Sequence, residues 1–120
     1  MKTCVGSVVD VSGVIEFTDV KISDGIHNTD SIRNSGIFTC ENPGLYLISV
    51  YITTDAKHSH YKVYKNTVRI AAGCSSLAGF FETTSVTVIE RLTVNDTISV
   101  TGDMLVDGSP YSCLTILQIK

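Results

Sequence analysis

The sequence predicts an all-β protein, a sandwich of two antiparallel sheets, and three observations lead there. No segment sustains the apolar period of an amphipathic helix. Turn dipeptides punctuate the chain at short intervals: Ser12-Gly13, Asp24-Gly25, Ser35-Gly36, Pro43-Gly44, Lys65-Asn66, Asn95-Asp96 and Asp107-Gly108. Between them lie about nine segments rich in Val, Ile, Thr and Tyr, residues that pack well on a pleated surface.

In chain order the expected strands are Cys4–Val11, Val14–Phe17, Gly36–Cys40, Leu45–Thr54, His58–Lys65, Val68–Ala72, Thr83–Leu92, Thr97–Gly102 and Tyr111–Ile119. Alternation is clearest at Thr97–Thr101, where Ile98 and Val100 face one way and Thr97, Ser99 and Thr101 the other, as in a half-buried strand. Leu45–Ile52 is different: it is apolar on both faces. The outer face of a two-layer sandwich normally meets water, so a strand apolar on that side points to contact with another copy of the chain.

The 120 residues suit one domain spanning 1–120, with 43% hydrophobic and 18% charged residues, enough apolar surface to fold and too little charge for disorder. A net charge of −3 with scattered Lys and Arg carries no nucleic-acid signature. No apolar run nears the about 20 residues that cross a bilayer as a helix, so no membrane partner is expected. Met1–Val5 leads into strand sequence without an apolar leader region, so a leader is expected to be absent or already removed.

Four cysteines, Cys4, Cys40, Cys74 and Cys113, show neither zinc spacing nor a Cys-x-x-Cys pair. In so apolar a chain they read as buried free thiols, and no disulfide is expected.

The segment Gly36-Ile37-Phe38-Thr39-Cys40-Glu41-Asn42-Pro43-Gly44-Leu45-Tyr46-Leu47-Ile48-Ser49-Val50 resembles the central signature of the C1q globular-head domain, in which Phe, five residues and Gly-x-Tyr-x-Phe open a core strand. Further pieces follow in the family's order: Phe17-Thr18-Asp19-Val20, Tyr64-Lys65-Asn66, Leu92–Val100 and Tyr111–Ile116. Ile48 and Val50 stand where aromatics are usual, Thr67 where Gly follows the Asn, and Cys113 where a small Gly is expected. The resemblance implies a jelly roll of about ten strands, shared with the tumour necrosis factor superfamily, and a secreted homotrimer. It also implies a first strand antiparallel to the last, with Cys4 opposite the last strand's end and farther from Cys113 than the roughly 7 Å a disulfide spans. Cys40 matches the family's first cysteine, but His58–Val63, where its partner would lie, has none.

Candidate sites are few. His58 and His60 at i and i+2 would share a strand face and could supply two metal ligands or polar contacts to a ligand. Some family members bind calcium near the trimer axis, and the resemblance places Glu82 at one acidic position of that site, with Cys74, Ser75 and Ser76 at its neighbours. No cofactor is required. Tyr61 and Phe80, with Tyr51, Tyr64, Phe81 and Tyr111, could stack on sugars or pack between protomers; of Phe80 and Phe81, alternation would send one to the core. Cys74-Ser75-Ser76 is the one nucleophile-like cluster, and no motif flanks it, so no catalytic site is expected. Asn95-Asp96-Thr97 matches the N-glycosylation sequon, though Asn-Asp is first of all a turn.

The function expected is therefore that of an extracellular, lectin-like pattern-recognition module of innate immunity, binding glycans or microbial surface polymers as a trimer. The alternative is a cytokine-like or structural trimer head that binds a protein receptor.

Overall fold

Apolar residues at every second position of Gly44–Thr54 make this stretch a long strand with one fully buried face, and the two sheets are arranged about it. The computed structural model describes residues 1–76 and 80–120. Its strands are β1 (Lys2–Cys4), β2 (Val9–Val14), β3 (Asp19–Ile22), β4 (Phe38–Thr39), β5 (Gly44–Thr54), β6 (His60–Lys65), β7 (Val68–Cys74), β8 (Glu82–Leu92), β9 (Thr97–Val106) and β10 (Cys113–Gln118), with helix α1 (Asp30–Ser35) between β3 and β4.

The first sheet runs β3-β1-β10-β5-β8 and the second β2-β9-β6-β7, with β4 also paired to β9. Every pairing is antiparallel, and the chain crosses repeatedly between the layers, giving a jelly-roll sandwich. Tyr46, Ile48, Val50 and Ile52 of β5 and Leu114 and Ile116 of β10 face Ile98, Val100, Met104 and Val106 of β9 and Tyr61 and Val63 of β6 across one core. Burial of each such side chain contributes about 1.5–3 kcal/mol relative to exposure.

Three local expectations are corrected. Cys4–Val11 is not one strand: it breaks around exposed Gly6-Ser7, leaving β1 in the first sheet and β2 in the second. Asp19–Ile22 forms an edge strand that its two charged residues hid. The chain also holds α1, only six residues long and so too short to show a period. Gly36 ends it at φ 76°, with its N–H donating to the Ile32 carbonyl, and a Cβ there would lie 2.7 Å from the Glu16 Cα. Glycine alone suits that position.

The expectation of no disulfide is overturned. Cys4 lies directly opposite Cys113, with Cα atoms 4.0 Å apart, and the two sulfurs are bonded. Antiparallel pairing sets the end of the first strand against the beginning of the last, and Cys113 is where the last strand begins. The Val5 N–H donates to Ser112 and the Ile116 N–H to Met1, so Cys4 and Cys113 fall between hydrogen-bonded pairs, where facing side chains come closest. Cys40 and Cys74 remain free, the first buried and the second exposed.

The β8–β9 turn is tied by one carboxylate. Asp96 accepts from the Thr93 N–H at 2.8 Å, the Thr93 hydroxyl at 3.1 Å and the Asn66 amide at 3.0 Å, which hold its carboxyl below its usual value of 3.8. A depressed folded value contributes stability above the unfolded one and loses it as pH falls through the folded one. The stability-versus-pH curve is therefore expected to drop below about pH 4, and Asp96→Asn to flatten that acid limb in urea titrations at stepped pH.

Candidate functional site

Two surfaces of the sandwich carry unusual chemistry. The first is the outer face of the first sheet. Strand register sets Leu117, Leu47 and Ile89 side by side across β10, β5 and β8. Ile119 and Leu45 extend the apolar area, since the Ile119 N–H donates to the Leu45 carbonyl and Leu45 faces Arg91. Ile89 is 58% exposed, Leu117 51% and Ile119 45%, so in a single chain this apolar area meets water. Adjacent rows are hydroxyl-rich: Ser49 bonds Thr87 at 2.9 Å, and Thr53 bonds Thr83 at 2.6 Å and the Tyr111 carbonyl. Tyr51 donates to the Pro110 carbonyl, so its ring is fixed at the rim of the same face.

The opposite face of β5 is sealed. Tyr46 is buried and donates its hydroxyl to the Asn42 carbonyl at 2.6 Å, with Cys40 against it. Burial and the Cys40 thiol push its phenol up to about 12, so it stays a neutral donor.

The second surface is a shallow depression of about 480 Å³ on the second sheet, lined by Gly13, His58, Ser59, His60, Lys62, Thr101, Gly102 and Asp103. The β6–β9 register, Tyr61 to Gly102 and Lys62 to Thr101, brings these residues together. The strand begins only at His60, and His58 sits in the left-handed region at φ 52°, so the expected i, i+2 strand geometry does not hold. The imidazoles still meet edge to face, centroids 5.4 Å apart. Cys74 faces His60 across the β6–β7 pair. Imidazoles, an ammonium, hydroxyls and one carboxylate make this a polar site of mixed charge, suited to a ligand rich in hydroxyl groups.

The other candidates divide. Tyr61 is 1% exposed and is a core residue rather than a ligand contact: its ring packs on Gly73, where a Cβ would lie 2.4 Å from the ring carbon bearing the hydroxyl. Phe80 is 75% and Phe81 59% exposed; both precede β8, so alternation does not send one of them inward. Among the described residues no three His, Cys, Asp or Glu side chains are placed to hold a metal. Glu82 accepts from the Ser76 N–H at 2.6 Å, and Ser75 is buried, donating to the Ala56 carbonyl. Each copy thus brings one carboxylate, already engaged by a backbone N–H, to the position at which the family resemblance places calcium. The residue types forming the depression were visible in sequence only as His58 and His60; Lys62, Thr101 and Asp103 join them through register alone.

Comparison with known proteins bears on the family and the fold. The C1q domain family model matches residues 7–109. Among solved structures the chain resembles the globular domain of zebrafish complement 1qA protein, with a TM-score of 0.75 at 14% identity over 99% of this chain and 95% of that one. It also resembles bushbaby GITRL, at TM-score 0.58 and 18% identity over 71% of this chain and 70% of that one. Pika GITRL gives 0.56 at 16% identity over 70% and 77%. These likenesses concern the fold. No curated protein matches the chain in sequence.

Proposed function

The chain belongs to the C1q domain family, and on that premise we propose that it is an extracellular recognition module of three identical copies that binds glycans or microbial surface polymers. Families of this kind are non-enzymatic recognition or cytokine modules, and their members form trimers. Their homologues are extracellular. No helix among the described residues is long and apolar enough to cross a membrane.

The observation that carries the reading is the apolar Leu117–Leu47–Ile89 row with its Leu45 and Ile119 extension, in which Leu117, Ile89 and Ile119 are exposed and the two leucines of β5 half-buried. Contiguous apolar area on a sheet's outer face is covered in the working state, and a second and third copy of the same chain cover it here. Three copies then carry three depressions. A shallow polar site binds a sugar weakly, and linkage of three raises the overall affinity for a repetitive polymer without any new contact.

Within each depression, Asp103 accepts from ligand hydroxyls and Lys62 donates to them, each charge-assisted bond contributing about 1.5–3 kcal/mol. Lys62→Ala and Asp103→Ala are therefore each expected to weaken binding to an immobilised polysaccharide about tenfold or more, measured by surface plasmon resonance with free sugar as competitor. Phe80→Ala should leave that binding unchanged. The exposed pair Phe80 and Phe81 favours the second reading, a protein receptor anchored by aromatic side chains. Binding that is lost with Phe80→Ala, kept with Lys62→Ala and indifferent to sugar would establish that reading instead.

A further inference from the structure

We propose that Asn95 is an acceptor for an N-linked glycan, carried on the end turn of the sandwich between β8 and β9. Asn95-Asp96-Thr97 fits the acceptor sequon. Turn formation accounts for nearly every other polar group there: the Asn95 N–H donates to the Cys40 carbonyl, the Asp96 carboxylate binds Thr93 and Asn66, and the Thr97 N–H donates to the Asn66 side chain. Asn95 takes φ 72°, a conformation asparagine tolerates, which explains its backbone. Its side-chain amide is what the turn leaves unused: Asn95 is exposed, and among the described residues no hydrogen bond engages that amide. The Thr97 hydroxyl makes only a 3.4 Å contact with Asn66.

Position also favours a glycan. Neighbouring Val94 is 54% exposed on the same turn, an apolar side chain that a sugar would shield. Asn95 belongs to neither sheet face. It lies beyond the Lys65–Ile98 end of the β6–β9 pair, while Asp103 is five residues further along β9, about 17 Å at strand spacing. A glycan there leaves the depression free.

In the transfer, the Asn95 side-chain nitrogen attacks the anomeric carbon of a lipid-pyrophosphate-linked oligosaccharide. A C–N bond forms, the C–O bond to pyrophosphate breaks, and the nitrogen loses one proton as the lipid pyrophosphate leaves. The inference rests on the extracellular reading only for the compartment that supplies this donor.

The chain is expressed in eukaryotic cells behind a supplied secretion leader, and the pooled lumenal and secreted protein is digested with peptide-N-glycosidase in heavy-oxygen water. One discrete loss of mass is expected, with Asn95 converted to labelled Asp in the peptide map, and with no such shift in Asn95→Gln or Thr97→Ala. Unmodified Asn95 in disulfide-bonded wild-type chain would overturn the proposal. Sedimentation of the same material reports trimer formation separately, so the failure of one reading is distinguishable from that of the other.

Discussion

A Cys4→Ala, Cys113→Ala double variant is expected to be about 3–5 kcal/mol less stable than the wild-type chain. The bond joins residues 109 positions apart, so it closes nearly the whole chain into one loop, and the unfolded state loses most of its freedom when the link is present. It also fastens β1, three residues long, to the sheet through a bond that strand pairing alone would leave to a few hydrogen bonds. Both cysteines are buried, Cys4 at 1% and Cys113 at 0% exposed, and the buried Ser112 hydroxyl beside Cys113 accepts the Thr53 N–H at 3.0 Å. The measurement is a urea midpoint for each protein, accompanied by a thiol count in denaturant. Two thiols, Cys40 and Cys74, should react before reduction and four after it. An unchanged midpoint, or four reactive thiols without reductant, would show that the bond does not form.

The second large effect concerns assembly. Ile89→Glu with Leu117→Glu places two carboxylates per copy on the apolar row of the first sheet, and assembly would bury them unpaired at a cost of several kcal/mol each. Monomers should result. Folding should survive, because both side chains are more than half exposed in the single chain and contribute little to its core. The circular dichroism spectrum and urea midpoint of the isolated copy report that directly. Val94→Glu is the control: Val94 is 54% exposed, like Leu117, but lies on the β8–β9 turn, outside the three strands that carry the row. It should leave the trimer intact. Because avidity needs three linked sites, the double variant should also lose most binding to a polymer while keeping the affinity of one site for a short sugar.

The fold was legible where side-chain pattern alone decides it. Tyr46, Ile48, Val50 and Ile52 announced both a strand and its buried face, and the alternate apolar residues Leu45 and Leu47 announced a second face, which the structure leaves half-buried beside exposed Ile89 and Leu117. Short or polar elements were not legible. Asp19–Ile22 alternates but carries two charges, and Asp30–Ser35 buries only Ile32, so neither yields a pattern against its surroundings.

Register was the other missing quantity. Whether Cys4 meets Cys113 depends on where a three-residue strand ends and where the last strand starts, and a shift of a single position would separate them. The depression has the same origin: His60, Lys62, Thr101 and Asp103 come together only because Tyr61 is set against Gly102. Tyr61 itself, grouped with the ligand candidates by residue type, proved to be on the inward side of that same strand.

Sedimentation equilibrium of the wild-type chain across micromolar concentrations tests the assembly through the Leu117–Leu47–Ile89 face most directly. A single species at three times the 13.0 kDa chain mass is expected. A species at the mass of one chain throughout that range would contradict it.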